Sequence, residues 1–439
     1  MKIRAMIPFQ THLLRKPQLG VLLALVAAAS MWSYAEFILI PHQRSEAARN
    51  GTPRGNLSDL YPRWLGAREL LLYRRDPYSP DVTREIQSGY YGRPLDPNRV
   101  NDPKDQQGFA YPVYVVFLLA PTVKLPFDIV REAFRWLLVL LTILSVFLWT
   151  RALPLQKPLS WKIMWVLLTL GSFPAMQGIK LQQLTLLVCA LLAGTVAAVA
   201  AGHLAVAGFL LALATIKPQL AAIFAGWLLF WTLGDWRRRQ RLTWTFLVTI
   251  GLLVLGGELL LPGWIGRFRA AAHAYWQYTG GGKSVLDLIL PTVPARTLAA
   301  ILLVALLVTV GRVRRSAAGD PEFRWSLALV CSVTLVVIPT YAPYNQLLLL
   351  PALMAAWAEM PRIARKGVVA RALLLLAGLS LLWPWIAAIV LCVGRLLVRG
   401  DTLQQAWAVP LYTSLYIPLT VAGVTWMAAI DTLRRHLHA

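Results

Sequence analysis

The chain has 439 residues, of which 57% are hydrophobic and only 14% are charged. This composition excludes an ordinary soluble globular protein. Its apolar runs of roughly 17–25 residues predict an all-α polytopic membrane protein, because a helix needs about 20 residues to cross a bilayer. The net charge of +23 lies largely in short basic clusters between those runs, as is typical of cytoplasmic loops. We therefore expect both termini in the cytoplasm and no nucleic-acid partner.

The first apolar run, residues 19–40, exceeds the roughly 7–15 residues of a signal-peptide core and is predicted to be a retained span. Residues 41–108 are predicted to form a large first external loop. Residues 57–112 hold eight of the chain's 20 acidic residues. Within the loop, residues 62–75 mix apolar and charged side chains, which predicts a short interfacial helix. Frequent prolines and glycines from Asp76 onward predict an irregular chain.

The rest of the chain is predicted to cross the membrane repeatedly. Residues 109–125 form a short apolar stretch that could cross or re-enter, and residues 262–294 form a second long external segment. Further spans are predicted at residues 131–150, 161–178, 181–201, 203–233, 243–261, 295–311, 325–340, 344–358, 371–398 and 410–430. The total is about twelve transmembrane helices in a single integral membrane domain, residues 1–439.

The run 203–233 is interrupted at Lys217–Gln219, which we interpret as a break within one crossing. Two full spans would place the basic cluster Arg237–Arg241 outside the cell, against the distribution expected for cytoplasmic loops. In the alternative scheme, residues 109–125 only re-enter and the interruption is an external turn. The sequence leaves both schemes open.

Asp59 lies shortly after the first predicted span, near the membrane surface. A carboxylate there could accept the proton of an attacking sugar hydroxyl and so act as a general base. Alternatively, Ser58 or Asp59 caps the helix that begins at Leu60, a role that both residue types often fill. The local residues favour neither interpretation.

Cations in the external segments could bind a lipid-linked phosphate, although any single one more often only contacts anionic headgroups. These cations are Arg63, Arg68, Arg267, Arg269, His273 and Lys283. Lys217 differs because an ionisable residue within an apolar passage is costly, which favours a functional role over snorkelling to the membrane surface. The amides of Gln183 and Asn345 add polar groups, although amides also join membrane helices.

No metal or cofactor is expected. The chain has no Gly-rich phosphate loop, no metal-ligand spacing and no nucleophile-elbow motif. It also lacks an Asp-x-Asp pair and a soluble domain for a nucleotide, so a transferase of this kind would take its donor from the membrane. The three cysteines lie inside apolar runs and predict neither a disulfide framework nor a metal site.

The order and spacing of these features resemble those of the polyprenyl-phosphate-mannose-dependent glycosyltransferases of family 87. After the first span come Asp59-Leu60-Tyr61, Arg75-Asp76-Pro77-Tyr78, and Tyr111-Pro112 at the start of an apolar run. The interruption at Lys217–Gln219 and the turn at Pro339–Gln346 also match. The resemblance covers residues 19–350.

The resemblance implies a GT-C fold, with residues 19–261 as its main module and residues 295–430 as C-terminal helices. It implies inverting transfer, without a metal, from a polyprenyl-phosphate sugar to a lipid or cell-envelope glycan acceptor. The active site would lie at the outer face of the bacterial inner membrane, with Asp59 as the general base. Mycobacterial-type members have a His-bearing motif where this chain has Tyr344-Asn345-Gln346, so mannose is only the default among hexoses and pentoses.

We expect cations to bind the donor phosphate, and aromatic and amide side chains to bind the sugar and the acceptor. The expected phosphate ligands are Lys217, Arg63, Arg267, Arg269 and His273. The expected sugar or acceptor ligands are Tyr61, Tyr78, Tyr111, Gln183, Gln219, Tyr344 and Asn345.

Two other functions fit parts of the pattern. A transporter or flippase of lipid-linked sugars would need alternating access, which usually brings pseudo-symmetric halves with paired broken helices. Only the interruption at Lys217 is obvious here. A polymerase or ligase of lipid-linked oligosaccharides also uses a polyprenyl-linked donor, but such enzymes usually carry their large external loop late in the chain. We therefore rank the transferase first.

Overall fold

The computed structural model describes residues 17–54, 58–153, 158–278, 282–339 and 342–434, and every regular element within these ranges is helical. The first ten α-helices are α1 Pro17–Arg49, α2 Tyr61–Tyr73, α3 Pro80–Tyr91, α4 Val115–Leu119, α5 Phe127–Ala152, α6 Leu159–Leu170, α7 Phe173–Lys180, α8 Leu184–Ala200, α9 Leu204–Ala214 and α10 Pro218–Leu233. The remaining nine are α11 Trp236–Leu260, α12 Trp264–Tyr278, α13 Thr292–Val313, α14 Pro321–Val337, α15 Leu350–Ala358, α16 Met360–Ala364, α17 Val368–Gly394, α18 Gly400–Gln404 and α19 Tyr416–Arg434.

Six helical stretches of the described chain are long and apolar enough to cross a membrane, which confirms an all-α membrane protein. They are α1, α5, α11, α13, α17 and the stretch Thr402–Ile430. The pair α6 and α7, bent by 59°, makes a seventh if it is one span. Helices α8, α9 and α10 are apolar but shorter. The expected number of about twelve spans stays a prediction.

Helix α1 extends well beyond the predicted first span. The helix was expected to end at residue 40 but continues to Arg49 through a π-helical turn at Ala35–Leu39. Near this turn the Tyr34 hydroxyl donates to the main-chain carbonyl of Trp407, and the Arg395 guanidinium lies 3.9 Å from the centre of the Phe37 ring. These contacts hold the end of α1 against the chain that follows α17. The polar segment expected to begin at residue 41 is therefore helical as far as Arg49.

The first loop contains two helices, in agreement with the short interfacial helices expected there. Helix α2 confirms the helix predicted over residues 62–75, whereas α3 lies where an irregular chain was expected. The Ser79 hydroxyl caps α3 by accepting the N–H of Val82 at 3.3 Å, and Pro80 takes the first helical position. Gly92 ends α3 with φ 83°. The prolines and glycines of this segment thus mark helix ends.

Helix α2 packs closely against both α3 and α4. A Cβ added at Gly89 of α3 would lie 1.8 Å from the Tyr61 hydroxyl oxygen, so only glycine permits this approach. On its other side, Trp64 donates its indole N–H to the Thr122 carbonyl at 3.2 Å. Within residues 109–125, the five-residue α4 rises only about 8 Å, against roughly 30 Å of hydrocarbon. This stretch supports α2 and does not cross by itself.

Helices α9 and α10 form an antiparallel hairpin around Lys217. A Cβ added at Gly208 of α9 would lie 2.3 Å from the Leu242 carbonyl oxygen, near the start of α11. Arg239, one turn earlier in α11, donates to the carbonyl of Trp231 in α10 at 2.9 Å. A straight passage from Gly208 to Trp231 would measure about 34 Å. The interruption at Lys217 is therefore a turn, and our interpretation of it as a break within one crossing is wrong.

The Lys217 turn and two basic clusters lie at opposite ends of the helical bundle. Besides Trp231, Arg239 contacts the carbonyl of Arg314 at 2.8 Å, which brings the clusters Arg237–Arg241 and Arg312–Arg315 together. Lys217 lies at the far end of α10 from this junction. The alternative scheme, with a re-entrant stretch and an external turn at Lys217, therefore agrees with a common location for both basic clusters.

Candidate active site

The segment that precedes α2 is hydrogen-bonded to the turn between α7 and α8. The Asp59 N–H donates to the carbonyl of Leu181 at 2.9 Å, and the Ser58 hydroxyl donates to the same carbonyl at 3.2 Å. In that turn Gln182 has φ 48°, a left-handed conformation that is costly for a residue with a side chain. The turn places Gln183, the residue before α8, next to Asp59.

The Asp59 carboxylate is held by two neutral donors. Its Oδ1 accepts the Tyr90 hydroxyl at 3.1 Å, and its Oδ2 accepts the Gln183 side-chain amide. The side chain does not cap α2, whose first residues have no side-chain cap, and the Leu60 N–H instead donates to the Ser58 hydroxyl at 3.1 Å. The helix-cap interpretation of Asp59 is therefore wrong. The half-buried carboxylate is oriented by α3 and by the turn before α8.

Arg63 places a positive charge one helical turn after Asp59. Its guanidinium donates to the Asp59 main-chain carbonyl at 2.5 Å and lies 4.6 Å from the centre of the Tyr111 ring. Tyr111 is held in turn by Tyr78, whose hydroxyl donates to the Tyr111 carbonyl at 2.6 Å. Of these predicted residues, Arg63 and Tyr111 lie beside Asp59, while Tyr78 supports Tyr111.

Lys217 adds a second cation, and it is only 4% exposed. Its ammonium donates to the Thr185 hydroxyl and, at 3.3 Å, to the Asn345 side-chain oxygen. It also lies 4.8 Å from the centre of the Tyr344 ring. Gln183, which donates to Asp59, lies only two residues before Thr185, so the start of α8 connects Lys217 with the surroundings of Asp59. The hairpin turn, the start of α8 and the 3-10 turn Pro343–Leu349 thus bring Lys217, Tyr344 and Asn345 together.

A second carboxylate near Asp59 escaped the sequence analysis. The carbonyl of Asp105 accepts the Tyr91 hydroxyl at 2.8 Å, and its carboxylate accepts the Gln107 N–H at 3.0 Å and side-chain amide at 2.8 Å. Burial raises the pKa of Asp105, the charge of Asp59 adds to the rise, and Arg63 opposes it. Its position in an irregular stretch carries no periodic signal that would single it out among eight acidic residues.

Two tyrosines of helix α12 lie within electrostatic reach of Asp105. The Tyr275 and Tyr278 rings contact each other edge to face with centres 5.3 Å apart. Burial raises the pKa of Tyr278, and the charge of Asp105 adds to the rise. Burial raises the pKa of Tyr275 to about 12, and Asp105 contributes to that shift. These two tyrosines also escaped the sequence analysis, although their spacing of three residues on a predicted external segment was an available signal.

The three predicted phosphate ligands on α12 are exposed. Arg267 forms an ion pair with Asp76 at 2.7 Å. The His273 ring stacks on Trp276 with centres 5.8 Å apart, and Arg269 extends from the exposed surface of the helix. The structure does not place them with Arg63 and Lys217, and their role in phosphate binding stays a prediction.

Two predicted acceptor ligands lie in other surroundings. Gln219 is exposed although it follows Lys217 by only two residues. Tyr61 packs against Phe127 with ring centres 4.9 Å apart, and it lines an open cavity of about 530 Å³ together with Arg68. Lys283 is exposed. The structure neither confirms nor contradicts a binding role for these residues.

The arrangement suits proton transfer next to an anion. A carboxylate that two donors hold in place can accept the proton of a hydroxyl, and two neighbouring cations can stabilise negative charge that develops on a leaving group. Among the residues that the structure describes, no group of three or more His, Cys, Asp or Glu side chains is placed to hold a metal ion.

Comparison with known families identifies one match. The family model of glycosyltransferase family 87 matches residues 109–339, more than half of the chain. The matched range contains Tyr111, Gln183 and Lys217, whereas Asp59 precedes it and Tyr344 follows it. No curated protein and no solved structure matches the chain.

Proposed function

The chain belongs to glycosyltransferase family 87 and is therefore a membrane glycosyltransferase, and on this premise we propose that it moves one sugar from a polyprenyl-phosphate donor to an acceptor hydroxyl. The acceptor belongs to a lipid or a cell-envelope glycan. Mannose is the default sugar, with another hexose or a pentose as alternatives. The observation that carries the proposal is the Asp59 carboxylate, held by Tyr90 and Gln183 beside two cations.

The proposed reaction is a single displacement with inversion. The Asp59 carboxylate takes the proton of the acceptor hydroxyl, and the acceptor oxygen forms a bond to the anomeric carbon. The bond from that carbon to the phosphate oxygen breaks on the opposite face, and its electron pair remains on the phosphate. Polyprenyl phosphate leaves, so no covalent sugar–enzyme intermediate forms.

Arg63 and Lys217 are the cations that we assign to the leaving phosphate. The described hydrogen bonds of Lys217 go to the uncharged oxygens of Thr185 and Asn345, and Arg63 donates to a main-chain carbonyl. A phosphate can therefore approach either cation without displacing a carboxylate partner, whereas Arg267 already pairs with Asp76. Cations in a water-poor site stabilise the charge of a departing phosphate more strongly than they would in water.

The proposed orientation follows from the two basic clusters that Arg239 joins. Basic loops are retained on the cytoplasmic side, so the end of the bundle with Arg237–Arg241 and Arg312–Arg315 faces the cytoplasm. The site around Asp59 and Lys217 then faces the outer side of a bacterial inner membrane, with both termini in the cytoplasm. A polyprenyl-phosphate donor would reach it from the outer leaflet.

Family membership favours transfer over the alternative of transport. A flippase would move the sugar lipid between leaflets without covalent change, and a polymerase or ligase would transfer a preassembled oligosaccharide. The size of the product separates these outcomes, because the proposed reaction lengthens the acceptor by one sugar.

The test is Asp59→Asn in proteoliposomes supplied with radiolabelled polyprenyl-phosphate mannose and a lipid extract of the source membranes as acceptor. We expect sugar transfer to fall by about a hundredfold to ten-thousandfold, because the amide cannot accept the proton. Thermal unfolding should stay unchanged. Asp81→Asn is the matched control, since its side chain is 69% exposed in the same loop. Full transfer by Asp59→Asn would refute the assignment of the base.

A further inference from the structure

Helix α2 carries an open cavity on the side that faces away from Arg63. The cavity has a volume of about 530 Å³, and most of its lining residues are three or four positions apart, which places them on one side of the helix. Its polar and aromatic lining residues are Tyr61, Trp64, Arg68, Glu69, Tyr73 and Arg75. Arg63 lies about 160° around the helix axis from Tyr61. On that other side, a Cβ added at Gly66 would lie 2.3 Å from the Phe109 ring. The cavity is therefore separate from the site around Asp59.

The cavity lies beside the start of a candidate membrane span. Phe127, the first residue of α5, packs against Tyr61 and Trp64 with ring centres 4.9 Å and 5.1 Å apart. At the other end of α2, Leu72 is 37% exposed and Tyr73 is 56% exposed. Exposed apolar and aromatic side chains next to a span are typical of a surface at the level of the lipid headgroups. A lipid headgroup can therefore reach the cavity.

Side chains of opposite charge line the cavity at adjacent positions of α2. Arg68 has no carboxylate partner among the described residues, and its guanidinium lies 5.4 Å from the centre of the Trp64 ring. The Glu69 carboxylate accepts Arg75 through Oε2 at 2.6 Å, whereas its Oε1 accepts no hydrogen bond from the described part of the chain. Arg75 also pairs with Glu85 at 2.5 Å. Because two carboxylates share one guanidinium, a negative charge remains beside the positive charge of Arg68.

This distribution of charge discriminates between headgroups. The carboxylates would repel a headgroup that is only anionic, and Arg68 would repel one that is only cationic. A zwitterionic headgroup instead places each of its charges next to the opposite one. An ethanolamine ammonium has N–H donors for the free oxygen of Glu69, which a choline cation lacks, and the Tyr73 ring can attract the same cation.

We propose that this cavity binds the phosphoethanolamine headgroup of a membrane lipid, with the phosphate at Arg68 and the ammonium at Glu69 beside Tyr73. The lipid takes no part in sugar transfer, since the cavity lies on the side of α2 away from Arg63. It attaches α2 to the membrane surface. Because a ligand that binds only the folded state raises its stability, bound lipid also stabilises the fold.

The test is native mass spectrometry of the full chain in detergent with phosphatidylethanolamine, phosphatidylcholine and phosphatidylglycerol of identical acyl chains. We expect one phosphatidylethanolamine to bind about tenfold more tightly than either other lipid, and Arg68→Gln to weaken its binding by about tenfold, because a hydrogen bond between charged groups is lost. Arg84→Gln is the matched control, since its side chain is 62% exposed in the same loop. Equal binding of phosphatidylglycerol, or unchanged binding of phosphatidylethanolamine by Arg68→Gln, would overturn the proposal.

Thermal unfolding provides a second measurement. Phosphatidylethanolamine should raise the unfolding temperature of the wild type and of Arg84→Gln more than that of Arg68→Gln, and an equal rise in all three rejects the site. If Arg68→Gln does not fold, Tyr73→Ala replaces it. Its binding of phosphatidylethanolamine should weaken by about threefold, and unchanged binding counts against the site. Displacement of the lipid by excess inorganic phosphate would show a site for free anions and would also reject the proposal.

Discussion

Two buried cations, Arg239 and Lys217, lie at opposite ends of the bundle and have different kinds of partners. Arg239 is 8% exposed, its guanidinium lies 3.8 Å from the centre of the Trp231 ring, and its hydrogen bonds go to main-chain carbonyls. These carbonyls belong to Trp231, Arg314, Arg315 and Ser316. Lys217 is 4% exposed and is held by the side chains of Thr185 and Asn345.

The difference separates a structural cation from one that can bind a ligand. Arg239 donates hydrogen bonds to the carbonyls at the ends of α10 and α13. An anionic ligand could bind Arg239 only by replacing these hydrogen bonds. Thr185 and Asn345 also hydrogen-bond to each other at 3.2 Å, so they keep a partner when Lys217 turns to a ligand. The nature of the partners, rather than the degree of burial, is the reason that we propose Lys217 and not Arg239 as a phosphate ligand.

Among the variants that test this comparison, the largest effect is expected for Arg239→Ala, which removes one donor from each of four carbonyls. The free energy of unfolding should fall by about 2–3 kcal/mol, while the transfer rate per folded molecule stays unchanged. Thermal unfolding in detergent and sugar transfer measure the two quantities. Arg238→Ala is the matched control, because its side chain is 88% exposed. Transfer lost at unchanged stability would contradict the structural role.

Lys217→Met should reduce sugar transfer without reducing stability, the reverse of what is expected for Arg239→Ala. Transfer is expected to fall by about tenfold, which corresponds to about 1.4 kcal/mol, because the leaving phosphate loses one cation. Stability should not fall, since removing an uncompensated buried charge is often neutral or favourable. Lys124→Met, an exposed lysine just before α5, is the control. Normal sugar transfer by Lys217→Met would contradict the proposal that Lys217, unlike Arg239, binds the leaving phosphate.

Arg93 is a structural cation in the first loop, which also contains Asp59, so it separates the effect of location from the effect of the partners. It pairs with Asp102 and donates to the carbonyls of Gly51 at 3.1 Å and Pro94 at 3.0 Å. Arg93→Gln should leave sugar transfer within about twofold, since Asp102 and two main-chain carbonyls already occupy its guanidinium. Hydrogen exchange should rise only in residues 92–102. A large loss of sugar transfer would show that the location of a cation near Asp59, and not the type of its partners, decides whether it contributes to transfer.

The ion pair of Arg93 and Asp102 predicts how the stability of this loop depends on pH. The hydrogen bond from Arg93 lowers the pKa of Asp102 from 3.8 to about 2. The depressed value means that the pair stabilises the fold above the unfolded pKa, and that this contribution is lost as the pH falls through about 2. Hydrogen exchange of the loop followed from neutral pH downward should therefore rise only below about pH 4, and a rise near pH 6 would contradict the pairing.

Sequence patterns predicted what depends on local composition and order. Long apolar runs predict membrane helices because the bilayer offers the backbone no other partners, and six candidate spans confirm that class. The mixed pattern of residues 62–75 predicted α2. The family resemblance is confirmed by the match over residues 109–339.

Local patterns failed where direction or packing decided the outcome. A Lys-Pro pair interrupts a helix, but it does not say whether the chain continues or turns back, and only the contacts of Gly208 and Trp231 with α11 reveal the hairpin. Helix α3 was missed because its proline and glycine, typical of loops, lie at its two ends.

The amino-acid sequence was sufficient to predict a helical membrane protein with a polar first loop. It also singled out Asp59, just after the first apolar run, and Lys217, within an apolar run, as charged residues in unusual positions. Whether Asp59 caps a helix or faces a site was decided only by the tertiary structure, through hydrogen bonds from Tyr90 and Gln183. The physical reason is that proton transfer and ligand binding depend on distances between residues far apart in the chain, and those distances are set by helix packing rather than by any local pattern.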